Sequence, residues 1–487
     1  MATAFPYSFT RTKHLTLSPP SSHGGDAADH RPLPWILLDV RAYIADRRNS
    51  TTATIVLSNG RKIQITFCIA PPPLVSYICA WSPTTDPAVF FAKEPAVGFV
   101  DADVVFLRVH SDQIYDLIYH ASSRPSLKLI HNPYNPYNPY HYLRRIDNVV
   151  VLPDRRRHAA GADDDDHDGS GRFYVSSLDR DRRFDLGHFK LCLYDEDDSM
   201  DCKWSNTILL LDQLRNAPDK DTVLHLTEKV FILDDEQPLV AFVDLWRGIV
   251  ICNVLDNSTP VGGSYMPLPP ELIDARRTYN SSVCRNIAIV NGRLTVVRLS
   301  LYLLDSDDDD SDDDDYCTWD LTTWSKPVSS CLDDEWREDF MIESSDVSID
   351  NSTRNACLLP KLDDGCPTTD TLQLAHPTLS LMDAHIVYIM GKVDVSDEKA
   401  LVLTVDMANK RLQEVSVYDA ERIVNDFDYA YTHSTISQYF TTAAAGLKRN
   451  LKRPLKFHIQ YPHKRQGGPG SKIRDETEDG NNPMELD

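Results

Sequence analysis

The stretch LVAFVDLWRGIVICNVLDNSTPVGGSYMPLP, residues 239–269, decides the fold class. Two apolar runs, Leu239 to Val243 and Ile249 to Cys252, flank Asp244-Leu245-Trp246-Arg247-Gly248, whose closing glycine can take the positive φ that a short hairpin loop requires. The pattern predicts a β-hairpin with the Asp244 carboxylate capping its turn. Residues 286–299, NIAIVNGRLTVVRL, repeat the arrangement around Asn291-Gly292, the residue pair best suited to a type I′ turn. A second such pair, Asn59-Gly60, precedes the alternating Ile63, Ile65 and Phe67, whose period of two fits a strand.

Short apolar segments punctuated by Gly, Pro, Asn and Asp continue outward from this region, with no sustained helical period, so the chain reads as all-β. Strands are expected at 36–44, 54–57, 63–68, 104–109, 190–194, 230–233, 316–320, 385–390, 401–405 and 412–418 besides the hairpins. Ser434 to Phe440 predicts one short helix, and Ser111 to Tyr119 has a helix-like start capped by Ser111, with strand as the alternative in this β-rich context. Phe242-Val243-Asp244-Leu245 is echoed by Thr404-Val405-Asp406-Met407, 162 residues later, or about four units of roughly 40 residues. That spacing predicts a β-propeller-like array of antiparallel sheets with roughly six to eight blades. Trp319-Asp320-Leu321 supplies a further blade-like ending. The alternative layout is two β domains divided in the 131–172 region.

Within this scheme residues 1–30 form a disordered leader, 31–447 the propeller-like domain with disordered insertions at 131–172 and 303–315, and 448–487 a disordered tail, basic and then acidic. The 131–172 segment carries three Asn-Pro-Tyr repeats, the Arg155 to Arg157 run and an aspartate run. The net charge of −23 is concentrated: the aspartates of 163–168 and 305–315 supply fourteen negative charges, leaving about −9 elsewhere. A nucleic-acid-binding body is disfavoured, because phosphate neutralisation needs a basic face. No apolar run reaches the roughly 20 residues of a spanning helix. Without a secretory signal pattern, cytoplasm or nucleus is expected, with plastid import as the alternative because the opening residues are Ser/Thr-rich and begin basic. Ten cysteines without a Cys-x-x-Cys pair predict reduced thiols and no zinc site.

Several motifs together resemble a plant family expanded in grasses and known as domain of unknown function 1618. They are Trp35-Ile36-Leu37-Leu38-Asp39, Thr52 with Asn59-Gly60-Arg61, Pro72-Pro73-x-x-Ser76-Tyr77, Val243-Asp244-Leu245-Trp246-Arg247-Gly248-Ile249, Tyr265-x-Pro267-x-Pro269 and Asn291-Gly292, spread over most of residues 35–300. The resemblance implies a class and, since the family has no assigned activity, no catalytic residues.

No catalytic, cofactor-binding or metal-ligating set is legible. The sequence lacks a Gly-x-Ser-x-Gly elbow, a His-Glu-x-x-His helix and a phosphate loop, and the aspartate run lacks the glycine and terminal glutamate of an EF-hand. Trp246 and Arg247 at the hairpin tip are candidate partner-binding residues, since Trp and Arg often dominate interfaces. The competing and favoured reading packs Trp246 between neighbouring strands and pairs Arg247 with an acidic loop. Ser306 and Ser311, each before four aspartates, are candidate phosphorylation sites. Lys448, Arg449, Lys452, Arg453 and Lys456 form a candidate nuclear import signal. The function expected is therefore a non-enzymatic protein-protein interaction module without a cofactor; the alternative is a hydrolase or sugar-active enzyme with carboxylates in a propeller channel.

Overall fold

In the computed structural model, the described residues are 19–20, 33–130, 143, 145–153, 172–181, 187–196, 203–217, 224–234, 238–256, 258, 260–303, 317–329, 332–423, 427 and 429–440. They build six sheets, antiparallel apart from the parallel pairings of one strand in blade 1, arranged as a six-bladed β-propeller, with helix confined to Pro87–Phe90 and a few single 3-10 turns. Blade 2 comprises β6 (Ala96–Asp101), β7 (Val104–His110), β8 (Ile114–His120) and β9 (Ser126–Ile130). Blade 3 comprises β10 (Val149–Pro153), β11 (Phe173–Arg180), β12 (His188–Asp195) and β13 (Lys203–Leu210). Blade 4 is β14 (Lys229–Asp234), β15 (Leu239–Asp244), β16 (Gly248–Asn253) and β17 (Gly263–Pro267). Blade 5 is β18 (Arg285–Val290), β19 (Arg293–Leu303), β20 (Cys317–Pro327) and β21 (Arg337–Glu343), and blade 6 is β22 (Gln373–Leu379), β23 (Ile386–Lys392), β24 (Lys399–Asp406) and β25 (Arg411–Asp419).

Blade 1 closes the ring from both ends of the chain. Its innermost strand is the late β26 (Tyr431–Ser434), which pairs antiparallel with β1 (Ile36–Asp39), Ile36 opposite Ser434 and Asp39 opposite Tyr431. Outward follow β5 (Val75–Trp81), parallel to β1 and also paired with β2 (Tyr43–Ile44), then β4 (Lys62–Cys68) and β3 (Ala53–Val56). The join is reinforced where Arg422 Nη2 donates to the Asp39 carboxylate, both groups almost fully buried, with Tyr418 Oη adding a second bond to that carboxylate at 3.2 Å.

The apolar runs of the sequence are continuous because middle strands are covered on both faces by neighbouring blades. Every residue of β15 and β23 is buried, whereas β9 and β21 at the outer rim are mostly half-buried or exposed. One apolar cluster joins blades 2, 3 and 4 through Phe106, Val150, Val175, Phe242 and Val250; others join blades 1 and 2, 5 and 6, and 6 and 1. Each fully buried side chain of this kind stabilises the ring by about 1.5–3 kcal/mol.

Several sequence expectations are refined. The 36–44 strand is two strands, broken at Val40 to Ala42. The ambiguous 111–119 segment is β8, and 434–440 closes as a single 3-10 turn, Ile436–Tyr439. The Asn291-Gly292 turn has φ of 48° and 78°, as a type I′ hairpin demands. Gly248 does not take a positive φ; it is needed because a Cβ there would stand 2.4 Å from Tyr265 Oη and 2.7 Å from Met266 O. The propeller has six blades, the lower end of the expected range, because its innermost strands begin at Ala96, Val149, Lys229, Arg285, Gln373 and Tyr431, 53 to 88 residues apart. The 162-residue echo is not a blade repeat: Asp244 ends the second strand of blade 4, and Asp406 ends the third strand of blade 6.

Candidate functional site

The six innermost strands surround a central channel with a volume of about 1230 Å³. Its wall includes Glu228, Lys229, Arg285, Asn286 and His433, contributed by blades 4, 5 and 1. Lys229 opens β14 and reaches across the channel. Its Nζ lies 2.8 Å from Ile287 O and 3.1 Å from Asn286 Oδ1 on the adjacent β18, and 3.3 Å from His433 Nε2 on β26. Since β14 and β26 belong to blades three places apart in a ring of six, this contact bridges opposite walls.

The environment of Lys229 is polar but uncharged. Among the described residues no carboxylate lies within ion-pair distance of it, and desolvation pushes its amine down to about 7. His433 is held well below the ordinary imidazole range, first by burial and then by Lys229, and its Nδ1 has no hydrogen-bond partner. The preceding residue, Glu228, accepts from Ser281 N at 3.1 Å and Ser281 Oγ at 2.5 Å. Burial raises its carboxyl group above the usual range, and the Ser281 bonds oppose that rise.

Arg285, like Arg41 on the same wall, has no ion pair among the described residues. Its Nη1 donates to Leu245 O and Leu272 O, each at 2.6 Å, and burial lowers its guanidinium to about 10. The buried arginines elsewhere behave differently: Arg108, Arg247 and Arg422 pair with Asp116, Asp244 and Asp39. Arg285 stacks instead over the Trp246 indole, 4.0 Å from the ring centroid.

Trp246 and Arg247 lie beneath the segment that follows β17, each 3 % exposed. Trp246 Nε1 donates to Tyr279 O at 2.9 Å, and its ring meets the Tyr279 ring edge-on at 4.8 Å. Arg247 donates to Asp244 Oδ2 at 2.9 Å and to the carbonyls of Ala275 and Arg277. Asp244 caps the turn, accepting from Trp246 N and Leu226 N at 2.9 and 2.7 Å. The Trp-Arg-Gly segment thus forms the floor under Arg285 and fixes one side of the channel. Ser306, Ser311, Lys448, Arg449, Lys452, Arg453 and Lys456 lie outside the described residues.

Sequence reading missed Glu228, Lys229, Arg285 and His433. The available signal was a charged residue opening an apolar strand, as in Lys229-Val-Phe-Ile-Leu and Arg285-Asn-Ile-Ala-Ile-Val. It marks a site only once those strands are known to be innermost. No group of His, Cys, Asp and Glu that could hold a metal ion occurs among the described residues, and no described helix is long and apolar enough to cross a membrane. The chain matches no curated protein. Residues 242–388, from the second strand of blade 4 to the second strand of blade 6, match the family model described as a protein of unknown function, DUF1618.

Proposed function

We propose that this protein is a small-molecule-binding propeller that recognises its ligand in the central channel. The observation that carries the reading is the convergence of Glu228, Lys229, Arg285 and His433 on one cavity of about 1230 Å³, above the roughly 300–1,000 Å³ typical of small-molecule sites. Burying ionisable groups without full charge compensation is unfavourable, and a cavity is where such groups serve a ligand. The rigid blades hold them in place at little entropic expense on binding. A thermal-shift screen of small anions, cations and neutral polar compounds against the full chain tests this. The expectation is a Tm rise with at least one class that disappears in Lys229→Met; a rise that survives this substitution places the ligand elsewhere and removes the channel from consideration.

A protein partner is the second reading. Leu301 and Tyr302 are 46 % and 52 % exposed near the end of β19, where the chain enters the aspartate-rich 304–316 segment. Exposed apolar side chains beside concentrated charge suit a partner with an apolar, basic surface. Replacing both with lysine should abolish recovery of such a partner without lowering Tm, and unchanged recovery would exclude this surface.

A further inference from the structure

We propose that Lys229 captures a carbonyl compound bearing an acidic group, such as a 2-oxo acid, as an imine within the central channel. The proposal rests on the channel-binding reading and names the ligand class.

The hydrogen-bond geometry points to a neutral amine. An uncharged Lys229 has two N–H bonds and one lone pair, and the three neighbours match them: Ile287 O and Asn286 Oδ1 accept, while His433 Nε2–H donates to the lone pair. An ammonium would need Nε2 as a third acceptor, which places the imidazole proton on Nδ1. Buried Nδ1 has no acceptor, and an orphaned buried N–H is the costlier error. The amine value of about 7 agrees with this assignment.

A neutral amine at the wall of a cavity is a nucleophile, and desolvation away from compensating charge is how lysines are activated for Schiff-base chemistry. The longest of the three contacts, that to His433, is the one that gives up the lone pair to an entering carbonyl. Nitrogen then attacks the carbonyl carbon, the C=O π electrons move to oxygen, and a proton passes from nitrogen to oxygen through solvent. The carbinolamine hydroxyl takes up a proton and leaves as water while the remaining N–H proton passes to solvent, giving the imine; no oxidant or reductant is consumed. His433 Nε2–H, released from the lone pair, is placed to donate a hydrogen bond to the developing alkoxide. Arg285 lines the same cavity and has no carboxylate partner among the described residues. A ligand carboxylate supplies that partner.

The test uses wild-type full-length protein, glyoxylate and cyanoborohydride, with peptide mapping by mass spectrometry. Lys229 should acquire the reduced adduct roughly 10- to 100-fold faster than surface lysines at pH 7, with its rate rising through about pH 7 and not about pH 10. Propanal, which lacks the carboxylate, should label it more slowly, and Lys229→Arg should leave no adduct at that position. Glycolate, the carbonyl-free analogue, separates the two readings by thermal shift. Stabilisation by glycolate without preferential labelling of Lys229 overturns the imine and leaves the channel site standing. Neither stabilisation nor preferential labelling overturns both.

Discussion

Lys229 makes the stability of the propeller depend on pH in a direction set by its burial. Its amine titrates near 7 in the folded chain against an ordinary value of 10.5, so between these values the unfolded chain binds the extra proton. Stability therefore rises with pH. The penalty is fully present below pH 7, shrinks by about 1.4 kcal/mol per pH unit, and is gone above about pH 10.5. From pH 7 to pH 10 the linkage is at most about 3.5 kcal/mol. Lys229→Met removes the titrating group while keeping a flexible apolar stem, at a pH-independent expense from Ile287 O and Asn286 Oδ1 losing a donor. Urea unfolding of both proteins at pH 7, 8, 9 and 10 isolates the effect, since all other titrations are common to the pair. The variant should gain on wild type at pH 7 and lose that advantage by pH 10. A stability difference that stays flat over this range refutes the assignment of a desolvated amine.

Arg422→Met should destabilise the ring by about 3–5 kcal/mol in denaturant unfolding, because it leaves the Asp39 carboxylate buried without its ion pair; adding Asp39→Asn should recover part of the loss. Trp246→Ala should cost about 3–5 kcal/mol as a core truncation and release Arg285 from its stacking surface. A Trp246→Ala protein with unchanged Tm and lost partner binding would instead return this residue to the interface role considered from sequence.

Strand class and hairpin position follow from residues that act locally. Asn291-Gly292 specifies its turn through backbone conformations open to those two residues, and continuous apolar runs such as Leu239 to Val243 announce strands buried on both faces. Blade number was only bracketed, because the 53- to 88-residue spacing of the innermost strands varies with loops that no periodicity reports. The closing pair of β1 and β26 joins residues nearly 400 positions apart and has no local signature. The site was illegible for the same reason. Glu228, Lys229, Arg285 and His433 read singly as charged or polar residues near strand ends, while Trp246 and Arg247 read as a hairpin tip more suited to packing than to partner binding. Only ring closure turns β14, β18 and β26 inward together, bringing the amine of one blade within 3.3 Å of an imidazole on the opposite one and burying Trp246 beneath the chain that carries Arg285. Sequence determined the strands; tertiary structure decided which of them share a channel, because that depends on contacts between distant segments.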